Sequence, residues 1–250
     1  MNYALLIYSS PAELALRNDP QKREAYWAPW PAYAKALADA GVMVEGASLQ
    51  LPETATTVRL RDGQRLVQDG PYAETKEQLA GFFMIDVPDI EAAVEWAQRC
   101  PAARDSVIEI RPKLPPIQPN AGTAPANAPS QEGLQYTILI YESASDFAAR
   151  IDPSRSEAYR AMWPPYAKAL REAGLMAGGA GLELPATAVS LRLRDGQRLV
   201  HDGPYAETKE QLGGYFIIQA ESLDVALEWA ARCPTAATGV IEVRPNLVRR

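Results

Sequence analysis

Histidine is nearly absent. The chain has one, His201, in 250 residues, and only two cysteines, Cys100 and Cys233. Those counts exclude a multi-histidine metal site, a zinc cluster and a disulfide framework, and no metal ligand is expected. A serine-hydrolase triad would have to use His201 as its base, and no G-x-S-x-G elbow accompanies it. Neither a Walker loop nor a G-x-G-x-x-G run after a strand is present, so no nucleotide cofactor, and no cofactor of any kind, is expected. Positive charge is also in short supply, with 25 Lys+Arg against 31 Asp+Glu and a net charge of −6, the opposite of a nucleic-acid-binding footprint. No apolar run approaches the roughly 20 residues of a membrane helix. The opening MNYALLIYSSPAEL lacks a basic head and a cleavage signal. A cytoplasmic protein without a membrane partner is the resulting expectation.

What is present is a duplication. Shifting the sequence by 133 residues aligns Tyr3–Pro112 with Tyr136–Pro245 without a gap, and most aligned positions are identical. The longest shared runs are RLRDGQRLV (Arg59–Val67 and Arg192–Val200) and DGPYAETKEQL (Asp69–Leu79 and Asp202–Leu212). A period this long denotes a repeated domain and not a solenoid. The expected organisation is a first copy over 1–112, a linker rich in proline and alanine over 113–133, and a second copy over 134–250. If extended, the linker would reach roughly 60 Å, enough for the copies to pair within one chain.

Each copy reads as strand, helix, two or three strands, helix, strand. YALLIY and YTILIY are buried-strand runs. Asp19-Pro20 and Asp152-Pro153 signal a helix start, and Gly41 and Gly174 a helix stop. Pro29, Pro31, Pro164 and Pro165 should break or kink that helix. Asp62-Gly63 and Asp195-Gly196 mark hairpins whose register stays open between a two-residue turn, setting Leu60 opposite Arg65, and a three-residue loop, setting Val58 opposite Leu66. Asp89 and Ser222 are N-caps of a later amphipathic helix. The order is that of a ferredoxin-like α+β domain. Two copies packed through their sheets would form a dimeric α/β barrel within one polypeptide, either as a self-contained pseudo-dimer or as a domain-swapped homodimer.

The run DGPYAETKEQLAGFF, with the later EWAQRCPAA and IEIRP, resembles the YCII-related family, in particular its DGPF branch. The resemblance spans both repeats. It implies a dimeric α/β barrel of ferredoxin-like subunits and an activity resting on a histidine and an aspartate in a cleft. Only the aspartate is matched, by Asp69 and Asp202, because Trp30 and Trp163 stand where the histidine would be. The branch is also associated with sigma factors, which implies a protein partner of that kind.

Three functions follow from these residues. The first is binding of a small molecule in a cleft near the DGPY segment. Tyr72, Glu74, Lys76 and Trp30, with Tyr205, Glu207, Lys209 and Trp163, are its expected ligand-binding residues. The second is an enzyme using Asp69 and Asp202 as acid/base groups. The third is a regulatory module acting on sigma-factor-dependent transcription. Each motif also has a structural reading. Asp-Gly-Pro is a turn, Thr75-x-Glu77-Gln78 and Thr208-x-Glu210-Gln211 fit a helix capping box, and Arg59, Arg61, Arg192 and Arg194 suit a solvated strand face or an anion site. The aromatic cluster around Trp30 suits core packing, and Cys100 and Cys233 suit buried small hydrophobes.

Overall fold

The computed structural model describes residues 1–73, 75–115, 134–194 and 196–247. Among these lie twelve strands: β1 Asn2–Ser9, β2 Met43–Ser48, β3 Thr56–Arg61, β4 Gln64–Asp69, β5 Gln78–Asp86, β6 Val107–Pro112, β7 Leu134–Ser143, β8 Met176–Gly181, β9 Val189–Arg194, β10 Gln197–Asp202, β11 Glu210–Ala220 and β12 Val240–Pro245. The helices are α1 Pro11–Leu16, α2 Arg23–Trp27, α3 Trp30–Asp39, α4 Ile90–Arg99, α5 Ala144–Ile151, α6 Ser156–Ala161, α7 Trp163–Glu172 and α8 Leu223–Ala231.

The chain divides into two compact α+β units that trade a segment. One comprises Met1–Leu51, Glu74–Lys113 and Glu183–Glu207; the other comprises Pro52–Ala73, Leu114–Leu182 and Thr208–Arg250. Each unit holds four strands and the helices of one repeat plus the hairpin of the other. The first unit's sheet runs β10-β9-β6-β1-β5-β2, and the second's runs β4-β3-β12-β7-β11-β8. In both, the four strands of the unit's main repeat, β6-β1-β5-β2 and β12-β7-β11-β8, have the fourth-first-third-second order of the expected ferredoxin-like fold, and every neighbour is antiparallel. The traded hairpin extends that sheet, β9 pairing with β6 and β3 with β12.

Strand alternation divides each sheet into two chemically different faces. In the first unit, Tyr3, Leu5, Ile7, Ile108, Ile110 and the visiting Leu191 join Leu37, Ala93, Val94 and Ala97 of α3 and α4 in one core. The opposite face carries Ala4, Leu6, Phe82 and Met84, together with Glu109 and Arg111, all buried. The second unit repeats this: Ile138, Ile140, Ile241, Val243 and the visiting Val58 pack with Leu170, Ala226 and Ala230, and Glu242 and Arg244 lie buried on the other face.

Local signals account for most boundaries. Asp89 Oδ1 accepts from the Ala92 amide at 2.9 Å, and Ser222 Oγ from Val225 at 3.3 Å, so both expected caps form. Gly41 and Gly174 end their helices at φ 68° and 69°, a conformation glycine adopts without cost. The hairpin register is the two-residue one, with Leu60 opposite Arg65, and Asp62 and Gly63 take φ 49° and 74° as a type I′ turn requires.

The prolines break the helix as expected, separating α2 from α3 and α6 from α7, because a proline is tolerated at a helix start but not in its interior. Two features differ from the sequence reading. Asp19 and Asp152 do not cap a helix; each accepts an amide two residues on, from Gln21 and Ser154 at 2.8 Å, and the helix starts later. Helices α1 and α5 were not anticipated, although Ser10 and Ser143 cap them through the amides of Glu13 and Asp146, both at 3.2 Å.

Candidate functional site

The site is built on the sheet face away from the helices, once in each unit. In the first unit, β9 and β10 deliver the second repeat's DGPY segment to that face. The Tyr205 amide donates to Glu109 Oε2 at 2.9 Å, anchoring the segment on β6. Its ring stacks on Tyr8 of β1, with centroids 5.0 Å apart and planes at 29°. The phenol donates to the Glu77 carboxylate and accepts from the Glu77 amide at 3.1 Å. Arg192 of β9 closes the cluster at 2.5 Å from Glu77 Oε1. Behind it, Arg111 is paired with Glu109 through two donors and also reaches the Glu183 carbonyl at 3.4 Å.

The second unit repeats the arrangement with the labels exchanged. The Tyr72 amide donates to Glu242 Oε2 at 2.9 Å, and the ring packs on Tyr141 at 4.8 Å. The Tyr72 phenol donates to Glu210 and accepts from its amide at 3.0 Å. Arg59 lies 3.3 Å from Glu210 Oε1 and 5.7 Å from the Tyr72 ring centre, and Arg244 is paired with Glu242.

Burial sets the electrostatics. Glu77 and Glu210 have side chains only 6% and 5% exposed, whereas their partners Arg192 and Arg59 are 38% and 32% exposed. Each buried acid therefore faces solvent through an arginine. Burial pushes Glu109 above the usual carboxylate range, against the pull of Arg111. Burial, then the hydrogen bond to Glu210, pushes the Tyr72 phenol up to about 12. Tyr72 is therefore a proton donor at neutral pH and not a base.

That shift has a measurable consequence at alkaline pH. Folded Tyr72 keeps its proton up to about 12, whereas its ordinary value is 10.0. Its stabilising contribution is thus intact below pH 10 and lost as pH rises through 12. Thermal melts recorded from pH 9 to 12 are expected to decline more steeply in this window for the wild type than for Tyr72→Phe.

The sequence-predicted residues fall in different places. Tyr72 and Tyr205 are central to the clusters. Asp69 and Asp202 end the outer strands β4 and β10 and are exposed, and alternation puts them on the face of Val67 and Val200, away from the clusters. Lys76, Lys209 and Glu207 are exposed; Glu74 lies outside the described residues. Trp30 stacks with Phe83, and Trp163 with Phe216, on the helix side of the sheets. The sheet thus separates these tryptophans from the DGPY tyrosines.

Thr75–Gln78 and Thr208–Gln211 start no helix; they lead into β5 and β11, leaving Glu77 and Glu210 to bind the tyrosines. Arg59 and Arg192 are ion-paired, not a simple solvated face. Sequence pattern alone does not single out Glu109, Arg111, Glu242 and Arg244, because a polar residue alternating with apolar ones ordinarily reads as solvent-facing. Their signal was the strand sequence IEIRP, repeated as IEVRP. His201 is exposed on β10, and both cysteines are buried thiols that burial raises to about 12.

A family model described as the YCII-related domain matches residues 1–115 and 134–247. The chain belongs to the YCII-related family. It is 38% identical over 112 residues to an uncharacterized protein of Rhizobium meliloti (strain 1021), a match spanning 44% of this chain and 90% of that one. That relative therefore corresponds to one YCII-related repeat. Among solved structures, the chain is similar to one described as a novel heme-binding protein from Thermus thermophilus, at 10% identity and TM-score 0.42, covering 99% of this chain and 91% of the other. What is said there of heme concerns that protein. No helix among the described residues of this YCII-related chain is long and apolar enough to cross a membrane.

Proposed function

We propose that this YCII-related protein binds a small molecule bearing a carboxylate or similar planar anion at its two Tyr–Glu–Arg clusters. One observation carries the reading: in each cluster an arginine side chain about one-third exposed is paired with a glutamate side chain only 5–6% exposed. Desolvating a carboxylate costs several kcal/mol, a cost that a merely solvated arginine would not require. Held from behind, Arg59 and Arg192 can offer their planar N–H edges to an anion with both donors aligned. The half-buried tyrosine ring beside each supplies a flat wall, and exposed Lys76 and Lys209 adjoin Glu77 and Glu210 in sequence as steering charge. Acid/base catalysis by Asp69 and Asp202 is less well supported, because both are exposed on strands that point them to the other face.

Calorimetric titration with a panel of small aromatic and aliphatic carboxylates tests this. Saturable binding is expected for the wild type. It should weaken about tenfold or more in Arg59→Lys/Arg192→Lys, which keeps the charge but loses the paired donors, and stay unchanged in Asp69→Asn/Asp202→Asn. Absence of binding across the panel, or loss in the asparagine protein alone, would overturn the proposal.

A further inference from the structure

The outer strands β4 and β10 are exposed along their whole length, and each is the edge of its own sheet. We propose that these edges bind a second copy of this chain by antiparallel strand pairing.

The hairpin register determines which peptide groups are on offer. The two-residue turn makes Arg61 and Gln64 a hydrogen-bonded pair, and such pairs recur at every second position of an antiparallel ladder. The alternation reaches Gly70, whose amide donates to the Ala55 carbonyl at 2.8 Å. Arg65, Val67 and Asp69 lie between these pairs and turn their own N–H and C=O groups outward. In the other hairpin the Gly203 amide donates to the Ala188 carbonyl at 2.7 Å, so the outward residues there are Arg198, Val200 and Asp202.

An added antiparallel strand pairs only where outward groups meet outward groups. With the valine on a twofold axis, Val67 faces the second copy's Val67, and Arg65 faces the second copy's Asp69, twice over. Arg198, Val200 and Asp202 give the same pattern. Directly opposed side chains approach to about 5 Å, so the charges are complementary in the one register that centres the contact. Within the chain, none of these four charged residues makes an ion pair among the described residues.

The apolar residues support the same reading. Leu66, Val67, Leu199 and Val200 are 45–49% exposed, adjacent pairs that put an apolar side chain on each face of each edge. Isolated edges are usually guarded by charged side chains, above all lysine, by proline or by a bulge; QRLVQD and QRLVHD contain neither lysine nor proline, and each carries one arginine and one aspartate of opposite sign. Six-residue strands bury less than the roughly 1,200 Å² of a standard stable interface, so association should depend on concentration.

Light scattering across a wide concentration range is the test. The wild type should rise from the 27.3 kDa of one chain toward two chains or more. Arg65→Asp with Arg198→Asp opposes like charges and should hold the mass at one chain, with an unchanged circular dichroism spectrum. Adding Asp69→Arg and Asp202→Arg restores complementarity and should restore association. A wild type that stays at one chain at the highest concentration, a reversal that associates unchanged, or a folded four-site protein that fails to regain association would each overturn the proposal.

Discussion

Glu242→Ala is expected to destabilise the second unit by about 3–5 kcal/mol, the cost of breaking a buried ion pair from one side. Glu242 and Arg244 have side chains 1% exposed each. Removing the carboxylate leaves the Arg244 guanidinium in the interior without that compensating charge, and takes the acceptor from the Tyr72 amide. A total stability of about 5–15 kcal/mol makes that loss a large fraction. Urea unfolding should show a lowered midpoint, and Tyr72, freed at its backbone, should become more accessible to quenchers. The control is Glu242→Leu with Arg244→Met, which exchanges the pair for apolar bulk. It should recover part of the loss, because an ion pair's Coulombic gain only roughly offsets its desolvation; the Tyr72 amide, still without its acceptor, accounts for about 1–3 kcal/mol that it does not recover. Equal destabilisation in both proteins would show that neither lost volume nor the unpaired guanidinium is the cause, leaving the lost acceptor of the Tyr72 amide.

The same pair marks where sequence reading reaches its limit. The ferredoxin-like order was legible because its signals are local: YALLIY, the Asp89 and Ser222 caps, and Asp62-Gly63 act over a few residues. Glu109, Arg111, Glu242 and Arg244 obey a local rule too, alternating with isoleucine and valine as solvent-facing residues would. Their burial depends on what the chain brings to the opposite face, which no local pattern encodes. Tyr72 was singled out, yet its partners Glu210 and Glu242 lie 138 and 170 residues away. The near-identity of the repeats concealed this: Glu77 lies beside Tyr72 in sequence, while the structure gives Tyr72 to Glu210 and Glu77 to Tyr205. Asp69 and Asp202, which the motif made prominent, are exposed because they end the edge strands β4 and β10, with Gly70 and Gly203 turning the chain away at φ 96° and 113°.

That crossing of partners predicts that a fragment of residues 1–115, expressed alone, forms a homodimer with twice its own mass. In the whole chain β3 places Val58 opposite Ile241, and β9 places Leu191 opposite Ile108. The 133-residue shift makes these the same contact, so Val58 of one fragment fits Ile108 of another. Folding the hairpin back onto its own β6 is disfavoured by the sheet order β6-β1-β5-β2, which puts β2 at the far edge. The seven residues 49–55 between β2 and β3 would have to span four strand spacings, about 19 Å, near the roughly 23–25 Å reach of that length fully extended. The return from β4 to β5 crosses the same distance. Leaving the hairpin undocked is also costly, since Val58 and Leu191 are 0% exposed and burying such a side chain contributes about 1.5–3 kcal/mol. Mutual exchange between two fragments satisfies both connections and both cores. Light scattering should therefore give two fragments per particle, and Val58→Asp should abolish both the dimer and the fold; a folded monomer with native-like circular dichroism would mean that the hairpin can reach its own sheet, and that the exchange belongs to the tandem chain alone.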